Sequence, residues 1–128
     1  MKILLLTVPV EAFIKSAYER DIQGKEVFST VNRASGVLPV IPKIAIVSII
    51  KYMERAGYER QDIDFYDVDM LQPTDDEFTS YLMKTKPDVI GLSAVVSTCY
   101  FQVKRLSRLA RAVLPSTLIV MGGSLSAS

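Results

Sequence analysis

The chain has no histidine and only one cysteine among its 128 residues. A single thiol excludes an internal disulfide framework and any zinc site built from several cysteines. Without histidine, a nucleophilic Cys99 lacks the base that usually activates it, although its predicted place at a helix start is one where a thiol pKa can be lowered. The acidic residues Asp67, Asp69, Asp75 and Asp76 are explained by a strand-end turn and a helix cap. We therefore assign no catalytic residue and no metal ligand.

Long apolar runs and an excess of one charge are also missing. Each apolar stretch is broken by charge or proline before the ~18 to 20 residues of a membrane span. The run over residues 1–6 is too short for a signal peptide. The net charge of +1 gives no electrostatic attraction to nucleic acid, and the basic face around Arg105 and Arg108 lacks interleaved aromatic residues. We expect a cytoplasmic domain that binds neither nucleic acid nor membrane.

The composition that is present predicts one folded domain over residues 1–128. Hydrophobic residues make up 49% and charged residues 23% of the chain, values typical of a globular protein. A chain of this size buries roughly two-thirds of its unfolded surface, which is enough for a core.

Hydrophobic periodicity and breaker residues predict alternating strands and helices. A long insert, about residues 10–41, follows the first strand and contains a short amphipathic helix through Val10, Phe13, Ile14, Ala17 and Tyr18. Helices are predicted over 42–56, from the Thr74 capping box to before Pro87, and over 99–113. In the first of these, we expect Ala45, Ile46, Ile49, Ile50, Tyr52, Met53 and Ala56 to share the inward face. The strands are predicted over 2–8, 63–68, 89–93 and 117–121, with an unstructured tail over 125–128.

Strands separated by helices imply parallel pairing through right-handed crossovers. The predicted architecture is therefore a doubly wound α/β sheet. Because such domains normally continue with another helix and strand, we expect that the domain is truncated after the fourth strand, as the front part of a longer protein.

The stretch over residues 86–98 organises this sheet. Its apolar run predicts a central strand buried on both faces, and ligands of open α/β sheets lie beyond the carboxyl ends of such strands. Ser93, Ser97 and Thr98 lie at that end, where they offer hydroxyl groups to a ligand or cap the following helix. The glycines of Gly122-Gly123-Ser124 allow close approach of a bulky ligand or simply a sharp turn.

The order of these segments resembles the N-terminal cobalamin-binding domain of B12-dependent radical SAM enzymes. The resemblance rests on residues 38–42, 52–58, 86–93 and 117–123 and covers essentially the whole chain. It implies a flavodoxin-like domain that holds a corrinoid over the carboxyl ends of its strands. The cofactor-binding residues that it implies are Val8, Pro9, Ser93, Ala94, Val95, Ser97, Thr98, Gly122, Gly123 and Ser124. Of these, Ser93, Ser97 and Thr98 would line the side of the nucleotide tail, and Gly122 and Gly123 would allow close packing of the tail.

Two departures from the family pattern bear on chemistry. Residues 9–13 replace the Asp-x-His-x-x-Gly motif that supplies a lower cobalt ligand in better-known B12 domains, so we expect base-off cobalamin without protein imidazole. The Cys-x-x-x-Cys-x-x-Cys motif is absent, so a [4Fe-4S] cluster and S-adenosylmethionine are expected only in a separate C-terminal domain. Ser124-Leu125 also replaces the Pro-His that often follows the two glycines.

The leading hypothesis is thus a cobalamin-binding module that is not catalytic alone. One alternative is a flavodoxin-like regulatory or protein-docking domain that binds no corrinoid and forms a homo-oligomer through its exposed fourth strand. A small enzyme using Asp67 or Cys99 is the weakest alternative.

Overall fold

The computed structural model describes residues 1–9, 43–71, 73–94 and 99–127. The helix predicted through Val10 and Tyr18 lies outside these residues, as do the predicted site residues Val95, Ser97 and Thr98.

The described chain alternates strands and helices as predicted. The strands are β1 (Ile3–Thr7), β2 (Ile63–Tyr66), β3 (Val89–Ser93) and β4 (Leu118–Gly122). The helices are α1 (Ile44–Arg55), α2 (Val68–Leu71), α3 (Asp75–Thr85) and α4 (Tyr100–Val113). Short 3-10 turns cover Arg60–Asp62 and Ser124–Ala127. None of the helices in the described ranges is long and apolar enough to cross a bilayer.

The four strands form one parallel sheet in the order β2-β1-β3-β4. Strands β1 and β3 are interior, and the strand order reverses between them, so the predicted central position of β3 is confirmed. Doubly wound sheets place ligands outside the carboxyl ends of the strands at this reversal point. The predicted α/β fold of flavodoxin-like character is therefore confirmed.

One face of the sheet, which we call the two-helix face, is covered by α3 and α4. Strand side chains Leu4, Leu6, Ile90 and Leu92 pack there against Phe78, Leu82, Leu106 and Ala110. On α3, the side chains of Phe78 and Leu82 are fully buried. The Thr74 hydroxyl accepts a hydrogen bond from the Glu77 backbone N–H at 3.2 Å, which confirms the predicted cap.

The opposite face, which we call the α1 face, is covered only in part. Ile46 packs with partly buried Ile50 and Met53 against Ile3, Leu5 and Ile63. Leu118 and Val120 of β4 are 59% and 47% exposed. The prediction that β3 is buried on both faces is therefore wrong: its residues alternate between buried and half-buried, and no described element covers this face over β3 and β4.

Three further predictions need correction. The inward face of α1 is narrower than predicted, since Ala45, Ile49, Tyr52 and Ala56 are exposed, Tyr52 at 75%. Strand β2 ends at Tyr66 rather than at Val68, because Asp67 accepts the Met70 N–H and starts helix α2. The predicted unstructured tail instead contains the 3-10 turn Ser124–Ala127.

Candidate functional site

The carboxyl ends of β1, β3 and β4 place three small residues in one row. Thr7 pairs in register with Ser93, and Ser93 pairs with Gly122. Because side chains alternate along a strand, this row lies on the α1 face with Leu5 and Val89. Ser93 is half-buried and makes no hydrogen bond with any residue that the structure describes. Within the described chain, its hydroxyl is therefore available to donate to or accept from a ligand.

The space over this row is open at β4. A Cβ atom placed on Gly122 would meet no atom within 4 Å. The next row toward the amino edge contains Gly91, whose added Cβ would lie 2.9 Å from Leu5 Cδ2. Leu5 therefore fills the space over Gly91, and we call only Ser93 and Gly122 the small-residue floor. Within the described chain, the space at Gly122 on the α1 face is open, and a large ligand could enter it from the carboxyl edge; we call this space the recess.

Gly123 has a structural reason to be glycine. Its φ is +95°, and an added Cβ would lie 2.2 Å from the Ala94 carbonyl oxygen. The Ala94 N–H donates to the Gly122 carbonyl at 3.0 Å, which joins the exits of β3 and β4. Of the two interpretations of the glycine pair, the sharp turn therefore accounts for Gly123, whereas the open space belongs to Gly122.

The structure brings the other described candidates to the same edge. Val8 and Pro9 follow β1 and are buried, and Ala94 is fully buried after β3. These three residues therefore offer backbone groups and shape rather than exposed side chains. Ser124 follows the glycine pair and begins the 3-10 turn.

Cys99 lies beneath this edge rather than at its surface. It is 1% exposed, and its Sγ donates to the Val8 carbonyl oxygen at 3.7 Å. A thiol enclosed in this way packs as a small apolar side chain, and a substrate has no direct path to it. The weakest alternative, a nucleophilic cysteine, gains no support from this position.

A polar network that the sequence did not predict borders the floor on the β1 and β2 side. The Thr7 hydroxyl donates to Asp67 Oδ1 at 2.6 Å and accepts from the Asp69 N–H at 3.1 Å. Lys43 Nζ lies 2.8 Å from Asp69 Oδ2. The sequence signal for this network was Thr7, which ends a buried apolar strand. A buried hydroxyl requires a hydrogen-bond partner, so a polar contact could have been expected there.

Both aspartates of this network, Asp67 and Asp69, bind other groups of the protein itself. Among the residues that the structure describes, no three histidine, cysteine, aspartate or glutamate side chains come together as a metal site. Asp67 accepts two hydrogen bonds, and Asp69 forms an ion pair with Lys43. These contacts give both carboxylates a structural role at the strand ends.

An aromatic stack lies on the other side of β2. The rings of Tyr66 and Tyr81 are 4.4 Å apart and nearly parallel, at 9°. Burial raises the pKa of Tyr66, and the charge of Glu77 adds to this effect. Burial also raises the pKa of Tyr81, with a further contribution from Asp64. Because these side chains belong to the two-helix face, the stack lies apart from the small-residue floor.

The comparison with protein families gives one match. The model of a family described as B12 binding domain matches residues 33–128. This match includes β2, β3 and β4 and all the described helices. No curated protein and no solved structure matches the chain.

Proposed function

We propose, on the basis that this chain belongs to the B12-binding domain family, that it holds its cobalamin over the carboxyl edge of β1, β3 and β4. The small-residue floor is the observation that carries this proposal. A Cβ on Gly122 would project into open space, and the neighbouring Ser93 hydroxyl has no partner within the described chain. Among the residues that the structure describes, open space at Gly122 beside one unpartnered hydroxyl fits an extended organic ligand.

The two parts of a corrinoid fit two parts of this edge. We assign the corrin ring to the loops that leave the strands after Pro9, Ala94 and Gly123. The nucleotide tail then enters the recess on the α1 face, where Ser93 offers its hydroxyl and Gly122 leaves room. The proposed cofactor site also includes Val95, Ser97 and Thr98. These residues follow β3 closely in sequence, and the family resemblance implies that they contact the corrinoid.

The proposed cofactor state is base-off. No histidine occurs in the chain, so no imidazole of this chain can bind the lower face of cobalt. When bound, cobalamin supplies a cobalt centre that carries a methyl group or takes part in electron transfer. The residues of this domain hold and orient the corrinoid and shield its tail from water.

We assign the domain to a radical SAM enzyme of the methyltransferase type or a related one. The order of the segments over residues 38–42, 52–58, 86–93 and 117–123 supports this assignment through its resemblance to such domains. In that setting, the [4Fe-4S] cluster and S-adenosylmethionine are held elsewhere in the parent protein. The cytoplasmic location and the lack of a nucleic-acid partner stay predictions.

A retention assay tests cobalamin binding by this chain. Purified protein is mixed with hydroxocobalamin or methylcobalamin, desalted, and measured by absorbance. We expect retained corrinoid with a base-off spectrum. A chain that is folded by circular dichroism but retains no corrinoid would contradict the proposal.

A pair of leucine variants tests the position of the site. Gly122→Leu places a bulky side chain in the recess, whereas Ser48→Leu places one on the exposed surface of α1. We expect Gly122→Leu to lose corrinoid while Ser48→Leu retains it. Equal retention by both folded variants would show that the recess is not the binding site.

A second candidate function rests on the apolar surface of β4. Leu118, Val120 and Met121 are exposed, and β4 lies at an edge of the described sheet. A docking domain without corrinoid would pair this edge with β4 of a second copy, because a twofold axis makes two identical edges antiparallel and self-complementary. Light scattering tests this alternative: a cofactor-free dimer supports it, and a strict monomer contradicts it.

A further inference from the structure

The start of helix α1 is held by a tertiary contact rather than by a local cap. No side-chain hydrogen bond caps α1, and its first turn contains no acidic residue. Instead, Lys43, the residue before the helix, forms an ion pair with Asp69 at 2.8 Å. Helix starts without caps leave backbone donors unpaired, so this ion pair and the burial of Ile46 are the described side-chain contacts that tie the start of α1 to the rest of the fold.

The same ion pair is connected to the floor of the recess. The Asp69 N–H donates to the Thr7 hydroxyl, and Thr7 is only 5% exposed. Thr7 in turn pairs in register with Ser93. Lys43 is therefore linked, through Asp69 and Thr7, to the row of residues at the carboxyl edge.

This connection sets the distance between α1 and the recess. Helix α1 covers β1 and β2 on the α1 face, through Ile46, and the uncovered part of that face begins at β3. A shift of the first turn of α1 would therefore widen or narrow the recess beside the floor. The ends of β1, β3 and β4 would be less affected, because sheet hydrogen bonds fix these strands to one another.

We infer that Lys43 and Asp69 are positioning residues for the nucleotide tail of the corrinoid. This inference rests on the proposed function, which puts the tail in the recess and the ring over the loops. Neither side chain is required to touch the cofactor. Their ion pair keeps α1 at the distance from the floor that fits the tail, so its loss weakens tail binding more than ring binding.

The surroundings of the pair support a directional contact. The two side chains are 25% and 28% exposed, and charge-assisted hydrogen bonds in such partly buried settings are stronger than neutral ones. The pair between Lys51 and Glu54 lies on the same helix, but its atoms are 3.9 Å apart and Lys51 is 70% exposed. It therefore provides a matched control that removes a lysine charge from α1 without changing its start.

Comparing the binding of two corrinoids distinguishes a positioning role of Lys43 and Asp69 from a merely structural one. Cobalamin contains the nucleotide tail, and cobinamide lacks it. We expect Lys43→Gln and Asp69→Asn each to weaken cobalamin binding about tenfold, with cobinamide binding changed less than about twofold. Lys51→Gln should leave both affinities unchanged. The charge-swapped double variant Lys43→Asp with Asp69→Lys should recover most of the cobalamin affinity.

The outcomes distinguish this inference from the proposed function. If wild-type protein binds both corrinoids and the ratio of their affinities is unchanged in Lys43→Gln and Asp69→Asn, the inference is wrong while the proposed function stands. If wild-type protein binds neither corrinoid, both are wrong. Asp69→Asn keeps the side-chain shape and the backbone donor to Thr7, so it gives the answer if Lys43→Gln does not fold.

Discussion

Alanine substitutions at three glycines test the described geometry of the carboxyl edge. Gly57 and Gly123 both have positive φ, +99° and +95°. An added Cβ meets nothing within 4 Å at Gly57, but at Gly123 it lies 2.2 Å from the Ala94 oxygen. Gly122 has ordinary φ and open space around its Cβ position. The three sites therefore separate backbone strain from steric contact.

The expected losses of unfolding free energy follow from these differences. Gly57→Ala incurs only the left-handed backbone strain, about 1 to 2 kcal/mol. Gly123→Ala incurs the same strain and also forces the β3 and β4 exits apart, which breaks the hydrogen bond from Ala94 to Gly122, worth about 1 kcal/mol. Its total is roughly 3 kcal/mol or more. Gly122→Ala should be neutral or stabilising by up to about 1 kcal/mol, because glycine weakens a strand.

Urea unfolding followed by circular dichroism measures these differences, provided that the m value stays constant across the variants. We expect Gly123→Ala to be the least stable, Gly57→Ala to be intermediate, and Gly122→Ala to resemble the wild type. Equal stability of Gly123→Ala and Gly57→Ala would refute the close contact with Ala94. A loss above about 1 kcal/mol in Gly122→Ala would refute the open recess.

Three other predictions concern stability. Thr7→Val removes one of the two donors to Asp67 and the acceptor of the Asp69 N–H, and we expect a loss of about 1 to 3 kcal/mol of unfolding free energy by urea unfolding; an unchanged midpoint would contradict the network. Because burial raises the pKa of Tyr66 and Tyr81, the folded state keeps its phenol protons to higher pH than the unfolded state, and the free energy of unfolding should fall above about pH 10. Replacing both tyrosines by phenylalanine should reduce this loss of stability at high pH. A pH profile that the replacement leaves unaltered would contradict the assignment of the loss to these two tyrosines. Ile90→Ala should cost about 2 to 5 kcal/mol, whereas Leu118→Ala, at an exposed site, should cost less than about 1 kcal/mol by the same assay; similar losses would contradict the uncovered face.

Local patterns predicted the order of the secondary-structure elements and most of their ends. Gly57, directly after α1, has the positive φ that is typical of a glycine at a helix end, and Thr74 caps α3 as the capping box requires. The buried face of α4 contains Leu106 and Ala110, as its periodicity indicates. These features depend on residues within one or two helical turns, so a single sequence is enough to specify them.

Features that depend on neighbouring elements were harder to predict. The apolar runs of β3 and β4 indicate full burial, but the α1 face over these strands is uncovered in the described chain, so Leu118 and Val120 are exposed. Tyr52 has the spacing of an inward residue, yet the contact between α1 and the sheet is narrow. Whether an apolar side chain is buried depends on what lies opposite it.

The sequence predicted which residues meet at the carboxyl edge but not their separate geometry, and their role in cofactor binding stays a prediction. The carboxyl edge, Ser93 and the glycine pair follow from the parallel topology and from resemblance. The separate roles of Gly122 and Gly123 required the backbone geometry. The contact between Lys43 and Asp69 joins residues 26 positions apart, and no local pattern indicates that they meet.

Amide chemical shifts measured during a hydroxocobalamin titration would locate the cofactor most directly. If the corrinoid lies over the carboxyl edge, the amide signals of Ser93, Gly122 and Gly123 should change and saturate together. Those of Lys2 and Asp88, at the opposite edge, should stay in place. Saturating cofactor that leaves the carboxyl-edge signals unchanged, or that shifts only the opposite edge, would contradict the proposed site.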